Sequence, residues 1–419
     1  MIIRGKRKFV LLILSLLLMF PLASCQGLFN PDSIGYGSVQ TPELIVVYDS
    51  KSSPVSLPPV FTATATIPGT PVTPYVPQDT PTPTLTPPII GFGQFPDDIN
   101  PLTGLKVQNL FLLNRRPIIV KVSNYPRFGR PHAGLSSADI VFDYYIGYGQ
   151  NRFAAIYYQN NEAMVGPMRS GRLVDGQLGR LYQAVVFYRN VDPDVNEGIQ
   201  EKLGDLAIWN AECPPLCNVG EYSVASTFGN TEEMETYIQE NGLDNKKPDL
   251  SGMIFDPRIP QQGDLVDKIG IQFGVEDRAE WIYNKEMGVY QRWIESSASL
   301  PLTMIPLVDR NTGQQISVHN LIVLFAEYET FSPSLHDIHL WDNFNGEKAY
   351  FFRNGLMMEG SWRAVNKDRP IQFNDQWGRN YSLEPGNTWI VIMDIHSTVV
   401  FGDQKSVDFK FQLGENNES

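Results

Sequence analysis

The apolar positions in the first half of the chain follow the spacing of strands and helices in alternation. Three runs rich in β-branched and aromatic residues, at 116–123, 138–145 and 152–158, have the length of β-strands and are bounded by Gly, Pro or Asn. Residues 173–184 predict a helix, and the apolar residues 185–188 predict the strand that follows it. Strands mixed with helices favour an α/β or α+β arrangement here.

A second helix is predicted at residues 231–241 from its end signals. Asn230 is a favourable N-cap, Glu233 stands three residues later as in a capping box, and Gly242 follows the last helical position. The polar segment 245–262 contains three prolines and comes directly after this helix. Such a segment predicts the connection to a second domain.

Helix signals fade beyond this connection, and strand signals replace them. The dipeptides Met287-Gly288 and Asn354-Gly355 each separate two runs of strand type, and Asn-Gly is a strong signal for a tight β-hairpin. Residues 320–328 and 388–393 are apolar runs of strand length. The sequence therefore predicts an α+β fold, in which a mixed α/β first domain is followed by a mostly antiparallel β second domain.

The N-terminus has the pattern of an export signal. Four basic residues lie within positions 4–8, and residues 9–20 are almost entirely apolar. The following Leu22-Ala-Ser-Cys25 resembles the lipobox of bacterial lipoproteins, in which the peptide is cut before a cysteine that then carries a lipid. We expect a signal peptide at residues 1–24 and a lipid on Cys25. The alternatives are an uncleaved anchor helix and an ordinary signal peptide, which also place the rest of the chain outside the cytoplasm.

A stretch rich in proline and threonine follows. Residues 54–88 contain 11 prolines and nine threonines, a composition that favours an extended, semi-rigid chain of polyproline type. At about 3.1 Å per residue, this stalk would span on the order of 100 Å. The predicted organisation is a signal peptide (1–24), a lipid-anchored stalk (25–97), an N-terminal α/β domain (98–250), a C-terminal β-rich domain (263–405) and a polar tail (406–419).

Charge and cysteine content narrow the range of functions. The 419 residues include 46 acidic and 33 basic ones, which gives a net charge of −13. Loss of the signal peptide would make it −17, because that peptide has four basic residues and no acidic one. An acidic chain without a basic stripe is a poor candidate for nucleic-acid binding. Cys213 and Cys217 remain besides Cys25, and in an exported protein such a pair favours a disulfide over free thiols or a metal site.

The densest candidate for ligand binding is the segment 165–172, between a predicted strand and a predicted helix. A glycine-containing turn before a helix exposes backbone N–H groups, and the helix N-terminus favours a negative charge. Arg169 and Arg172, with Arg152 at the start of the preceding strand, could hold a phosphate, pyrophosphate or carboxylate group. Arg130, in the loop after the first strand, is a further candidate. The alternative is that these arginines form structural salt bridges.

Residues for catalysis or metal binding are sparse. Asp139 and Asp143 lie four apart on a predicted strand and share a face. Paired carboxylates serve in glycoside hydrolysis, although a solvated face or arginine partners would also explain them. The chain has no Gly-x-Ser-x-Gly motif, and His336 and His339 would point to opposite faces of a strand. The sequence predicts no cofactor and no bound metal.

The globular part also contains a series of motifs in a fixed order. They include Asn100-Pro-Leu-Thr-Gly104, Arg130-Pro-His-Ala-Gly134, Gly166-Pro-Met-Arg-Ser-Gly-Arg172, Phe352-Arg-Asn-Gly355 and Pro385-Gly-Asn-Thr-Trp389. Together they resemble the YerB-like bacterial lipoproteins, a two-domain family of uncharacterised function, over about residues 98–395. That family usually has a His-x-Gly-Gly-Ser-like segment where this chain has Tyr188-Arg-Asn-Val-Asp-Pro-Asp194.

A second similarity, in motif order alone, is to the LytR-CpsA-Psr phosphotransferases. Those enzymes attach polymers to the cell wall and hold a polyprenyl pyrophosphate with arginines. The similarity would give that role to Arg152, Arg169 and Arg172.

These observations lead to one hypothesis and one alternative. The hypothesis is a lipoprotein on the outer side of the cell membrane, anchored through Cys25, whose two-domain part binds an anionic envelope component or a protein partner without catalysis. The alternative is an envelope enzyme that acts on phosphorylated or polymeric glycan. It would be a LytR-CpsA-Psr-like phosphotransferase, or a hydrolase that uses Asp139 or Asp143. No nucleic-acid partner is expected.

Overall fold

The described fold begins near the end of the predicted stalk. The computed structural model describes residues 88–91, 93, 95–403 and 405–414. The predicted signal peptide, the lipid site at Cys25 and nearly all of the stalk lie outside the described residues. Among the residues that are described, no helix combines the length and the apolar character needed to cross a membrane.

Within these ranges the α-helices belong to the first half of the chain, whereas strands run throughout. The α-helices are α1 (Leu173–Leu181), α2 (Pro193–Leu203) and α3 (Thr231–Glu240). Short 3-10 helices lie at Leu110–Leu113, Arg127–Gly129, Leu135–Ser137 and Gly204–Leu206. The strands of the first half are β1 (Ile118–Ser123), β2 (Ile140–Gly147), β3 (Gln150–Tyr157), β4 (Val185–Tyr188), β5 (Ala207–Trp209), β6 (Leu216–Asn218) and β7 (Thr227–Gly229).

The second half of the described chain consists of strands and their connections. They are β8 (Ile254–Phe255), β9 (Asp264–Leu265), β10 (Lys268–Gly274), β11 (Asp277–Asn284), β12 (Val289–Glu295), β13 (Met304–Pro306), β14 (Ser317–Val318), β15 (Asn320–Ala326), β16 (Tyr328–Ser332), β17 (Leu335–Ile338), β18 (Glu347–Arg353), β19 (Leu356–Arg363), β20 (Gln372–Asp375), β21 (Ser382–Leu383), β22 (Thr388–Asp394), β23 (Thr398–Gly402) and β24 (Ser406–Lys410). The described part is a mixed α and β structure in which strands predominate.

One large mixed sheet contains strands from both halves of the chain. Its strand order is β20-β19-β18-β15-β22-β2-β3-β1-β4-β5, with β9 alongside β19. The two halves meet where β22 runs parallel to β15 on one side and to β2 on the other. Every residue of β15 and β22 is buried, as expected of parallel strands that are covered on both faces. Both predicted domains therefore contribute strands to a single sheet.

Alternate residues of the central strands belong to two hydrophobic cores on opposite faces of this sheet. On β1, Ile119 contributes to a core that also contains the apolar residues of α1 and α2. Its neighbours Ile118 and Val120 contribute to the other core, which contains residues of α3 and of a second sheet. That second sheet has the order β13-β12-β11-β10-β24-β23, with β14 beside β12. The side-chain period of two along a strand produces this division.

Local sequence signals predict two features of the fold closely. Helix α3 begins after Asn230, whose side chain accepts hydrogen bonds from the N–H groups of Glu232 and Glu233 at 2.9 and 3.2 Å, so the predicted N-cap is confirmed. Asn354 and Gly355 have φ values of 54° and 74° and connect β18 to β19. The predicted hairpin is therefore confirmed, because a tight turn with two left-handed residues matches the twist of its strands.

The sequence pattern does not predict helix α2. Pro193 between two aspartates suggests a turn, but proline also suits the first position of a helix, where an N–H would have no partner. Asp192 caps the helix by accepting a hydrogen bond from the N–H of Asp194 at 3.0 Å. The buried stripe of the helix consists of Val195, Ile199 and Leu203.

Candidate functional site

The segment 165–172 lies at the carboxyl ends of two parallel strands, β1 and β4. The N–H of Arg169 donates to the carbonyl of Lys121 on β1 at 3.1 Å, and the N–H of Arg189 after β4 donates to the carbonyl of Arg169 at 3.1 Å. The segment thus fills the gap between the two strands, and α1 begins directly after it. Ligands of open α/β sheets bind in crevices at the carboxyl ends of such strands.

Three arginines gather at these strand ends. Arg152 is aligned with Ser123 at the end of β1, and its Nη1 donates to the carbonyl of Ser170 at 3.1 Å. Arg172 is the N-cap residue of α1, and Arg169 lies three residues before it. The guanidinium groups are close enough to repel one another. Burial, and then the charges of Arg172 and Arg169, hold the pKa of Arg152 well below its usual range.

None of these three arginines forms a salt bridge with any described residue. Their Nη groups donate only to backbone carbonyls, at 2.9–3.1 Å; the acceptors are the carbonyls of Ser170, Gly171 and Val224. The Nε atom of each arginine is buried and has no hydrogen-bond partner among the described residues. Buried donors without acceptors cost free energy. The arrangement is therefore suited to an anion that supplies acceptor oxygens.

Asp175 attracts Arg152 and Arg172, but its carboxylate is already bonded to three other groups. It accepts the Nζ of Lys121 at 2.9 Å, the N–H of Arg172 at 2.7 Å and the hydroxyl of Tyr144. Lys121 is fully buried, and burial lowers its pKa to about 8 although Asp175 favours its charged form. Four basic side chains and one acidic one thus lie together here, in a chain whose net charge is −13.

Exposure decreases from the segment 165–172 to the strands beneath it. Arg169, Ser170 and Arg172 are half-buried, whereas Arg152 is 4 % exposed and Lys121 is completely buried. An anion that enters would meet Arg169 and Arg172 first, with the charge of Arg152 beneath them. The N-terminus of α1 adds a partial positive charge at the same place.

Arg130 belongs to a different group of charges. Its Nη2 donates to Oε1 of Glu295 at 2.9 Å, and its Nε donates to the carbonyl of Asn124 at 3.1 Å. Arg127 also donates to the carboxylate of Glu295, at 3.2 Å. Glu295 is the last residue of β12, so this loop is bonded to the second sheet. The structure does not bring Arg130 together with the other three arginines.

Asp143 lies on the opposite face of the large sheet from the arginines. The cross-strand register places Tyr144 beside Arg152, so the neighbouring Asp143 projects to the other side. There its carboxylate accepts Nη2 of Arg292 at 3.1 Å, and both side chains are completely buried. The guanidinium group of Arg292 lies over the rings of Phe153, Trp281 and Trp389.

The carboxylate of Asp139 accepts hydrogen bonds from donors other than those around Arg130 and Asp143. Its Oδ2 accepts the N–H of Tyr158 at 2.5 Å, and its Oδ1 accepts Nδ2 of Asn100 at 2.9 Å. Burial raises its pKa to about 7, although these bonds oppose the shift. Four residues along a strand correspond to about 13 Å, whereas the carboxyl groups of glycosidases lie roughly 5–9.5 Å apart. The structure does not join Asp139 and Asp143 in one site.

Cys213 and Cys217 form a disulfide, with their Cα atoms 4.7 Å apart. Cys213 lies before β6 and Cys217 lies within it, and β6 pairs with β7. The carbonyl of Thr227 on β7 accepts the N–H of Met168 at 2.7 Å, so this small sheet borders the arginine segment. In the part of the chain that the structure describes, no group of three or more His, Cys, Asp or Glu side chains is arranged to hold a metal ion.

The site residues predicted from the sequence do not include Lys121, Tyr144 or Asp175. One signal was available: Lys121 interrupts the otherwise apolar run of β1, and a charge within a buried strand needs a partner. Asp175 occupies the third position of α1, where a carboxylate commonly caps the helix. Nothing local indicates that these two side chains meet.

Comparisons with known proteins identify one family and one named relative that match this chain. Residues 102–242 match the N-terminal domain, and residues 269–390 the C-terminal domain, of a family described as protein of unknown function (DUF3048). A Bacillus subtilis (strain 168) protein named "Putative lipoprotein YerB" is 26 % identical over 309 residues, which cover 70 % of this chain and 85 % of that protein.

A solved structure shares the fold. The crystal structure of the YerB protein from Bacillus subtilis aligns with a TM-score of 0.56 and 23 % identity, over 70 % of this chain and 96 % of the solved chain. The resemblance to the YerB-like lipoproteins is therefore confirmed. The two domain matches together cover more than half of the sequence, and the chain belongs to the DUF3048 family.

Proposed function

We propose that this protein is a lipid-anchored surface lipoprotein whose folded part binds an anionic component of the cell envelope through Arg152, Arg169 and Arg172. The proposal depends on one observation, the grouping of three guanidinium groups without a carboxylate partner among the described residues. Arg292 and Arg130, by contrast, have carboxylates at 3.1 and 2.9 Å. Unpaired buried cations cost free energy, and a bound anion would offset that cost.

The geometry favours an anion with several charges. Planar guanidinium groups match the oxygens of phosphate and carboxylate groups in pairs. Three arginines and Lys121 exceed the single carboxylate of Asp175 by three charges. A phosphate or pyrophosphate group on an envelope lipid or polymer would balance this excess better than a single carboxylate would.

The anchor supports the choice of the cell envelope. The sequence up to Cys25 has the pattern of a lipoprotein signal, and a relative that covers 70 % of the chain is named as a lipoprotein. Attached in this way, the folded part would meet components of the envelope.

These contacts favour binding over hydrolysis by a carboxylate. A carboxylate-based hydrolase needs a free carboxylate beside the ligand. Asp143 is paired with Arg292 on the other face of the sheet, and Asp139 is bonded to backbone N–H groups. Asp175, which does lie beside the arginines, is neutralised by Lys121.

Calorimetric titration of the mature chain with pyrophosphate tests this proposal. The wild type should bind, and Arg169→Ala/Arg172→Ala should lose at least about tenfold in affinity, since one hydrogen bond to a charged group contributes about 1.5–3 kcal/mol. Arg180→Ala is the matched control, because Arg180 lies on α1 but is paired with Asp368 at 2.6 Å on the surface. It should bind as the wild type does. Equal affinity of the double variant and the wild type would overturn the proposal.

A further inference from the structure

A hairpin from the second family domain is bonded to the helix that begins at the arginine site. The hairpin consists of β16 and β17. Nε2 of Gln177 on α1 donates to Oδ1 of Asp337 at 2.9 Å and to the carbonyl of Ile338 at 2.8 Å. The N–H of Leu340 donates back to Oε1 of Gln177 at 3.0 Å. Three hydrogen bonds to one side chain therefore hold β17 against α1.

This contact places His336 next to Arg172. His336 lies on β17 and is 4 % exposed. A cavity of about 10 Å³ is lined by His336, Arg172, Tyr144 and Tyr145, among others, which is room for about one water molecule. The Nε2 atom of His336 is buried and has no partner among the described residues. Its Nδ1 atom lies 2.9 Å from the hydroxyl of Thr330.

The charges around His336 come from a small set of groups. From α1 it faces Arg172, and from β2 it faces Tyr144 and Tyr145. On its own hairpin it faces Tyr328, with the ring centroids 6.4 Å apart. Burial and the charge of Arg172 lower the pKa of His336, whereas a bond to the carbonyl of Pro333 opposes them. Unliganded, the ring is therefore neutral near pH 7.

We infer that His336 is a ligand-binding residue of the arginine site, contributed by the second family domain. Its protonated ring presents Nε2–H to a water molecule in the cavity that it shares with Arg172, and that water donates in turn to an anion bound on Arg172. The inference rests on the proposed function, because it adds a residue to the same site. We assign to the neutral ring the tautomer in which Nδ1–H donates to the hydroxyl of Thr330, so Nε2 cannot donate until His336 takes up a proton.

This arrangement couples anion binding to proton uptake. An anion on Arg172 offsets the charge that disfavours protonation of His336, and the protonated ring in turn strengthens the anion's binding, because linkage is reciprocal. Affinity should therefore rise as the pH falls from about 7 to about 5.5. Lys121, whose pKa is about 8, remains charged in this range. The site then spans both family domains and prefers anions that keep their charge in mildly acidic conditions.

Titration with inorganic sulfate tests the inference, because sulfate remains a dianion throughout this pH range. Wild-type mature chain should bind sulfate about fourfold more tightly at pH 5.5 than at pH 7.0, which is the change that a shift of about one unit in the pKa of one group produces over this range. His336→Gln keeps an amide beside Thr330 and cannot titrate, so its affinity should not change with pH. His339→Gln is the matched control: His339 is exposed, lies beside Glu327 and Glu329, and should leave the pH dependence as in the wild type.

A second measurement does not depend on any variant. Calorimetry in two buffers of different ionisation enthalpy counts the protons that the wild type takes up with sulfate near pH 6. Uptake of up to one proton supports the inference. Binding without proton uptake, or an unchanged pH dependence in His336→Gln, overturns it.

The same titrations separate this inference from the proposed function. If Arg169→Ala/Arg172→Ala loses sulfate binding at both pH values while the wild type shows no proton uptake, the proposed function stands and the role of His336 fails. If the double variant binds sulfate as the wild type does, or if the wild type binds none, both fail.

Discussion

Replacing Arg152 with methionine should stabilise the unliganded protein and abolish anion binding. Methionine retains much of the apolar stem that arginine packs in the interior and removes only the charge. Arg152 is repelled by Arg172, Arg169 and Lys121 and is attracted by Asp175. Removal of the charge therefore eliminates more repulsion than attraction.

The magnitude follows from counting these interactions. At an effective dielectric constant of about 20, one pair of nearby unit charges interacts by on the order of 2 kcal/mol. Three repulsions against one attraction leave about 4 kcal/mol, and loss of the bond to the carbonyl of Ser170 subtracts about 1 kcal/mol. Solvent screens the half-buried Arg169 and Arg172. We therefore expect a gain of about 2 kcal/mol, or a rise of about 4 °C in Tm.

Thermal unfolding, followed by near-ultraviolet circular dichroism in a buffer without multivalent anions, measures this effect. Arg292→Met is the control, because Arg292 is equally buried but is paired with Asp143 at 3.1 Å. That variant leaves a buried carboxylate unpaired and should lose about 3–5 kcal/mol. The same substitution should thus move Tm in opposite directions at the two sites. If Arg152→Met lowers Tm as much as Arg292→Met does, the conclusion that the three arginines are unpaired is refuted.

Three further outcomes are expected. Gln177→Ala removes three hydrogen bonds to the segment around β17 and should lower the free energy of unfolding by about 2 kcal/mol in urea titrations; an unchanged midpoint would contradict this contact. Asp139→Ala leaves two backbone N–H groups without their acceptor and removes one of the two acceptors of the Asn100 side chain; it should cost about 3 kcal/mol, which the same titration would measure. Cys25→Ala should move the protein from the membrane fraction to the soluble fraction, and retention in the membrane without lipid labelling would count against the anchor.

Part of the candidate site can be predicted because its residues are close along the chain. Arg152, Arg169 and Arg172 belong to one strand, the following segment and the N-cap of a helix. Short connections leave few ways to arrange such elements, so their proximity follows from local patterns. Arg130 is nearly as close in sequence but is bonded to Glu295, 165 residues away. No local pattern indicates that partner.

The positions of Lys121, Asp175 and His336 near the arginines depend instead on contacts between distant parts of the chain. Lys121 meets Asp175 only because β1 and α1 are brought together by packing on one face of the sheet. His336 reaches Arg172 through a hairpin that lies more than 150 residues further along the chain and is held by Gln177. Residues of this kind carry no sequence signal of their partners.

The sequence by itself determined the α3 N-cap at Asn230, the hairpin at Asn354 and Gly355, and the central strands, because side-chain period, capping bonds and turn conformation depend on neighbouring residues. Only the tertiary structure decided that β22 lies between β15 and β2, that Asp143 is paired with Arg292, and that Arg152 has no carboxylate partner among the described residues. The physical reason is that strand pairing and packing bring these charged side chains together from segments far apart in the chain. Such contacts minimise the free energy of the whole fold, not that of any one element.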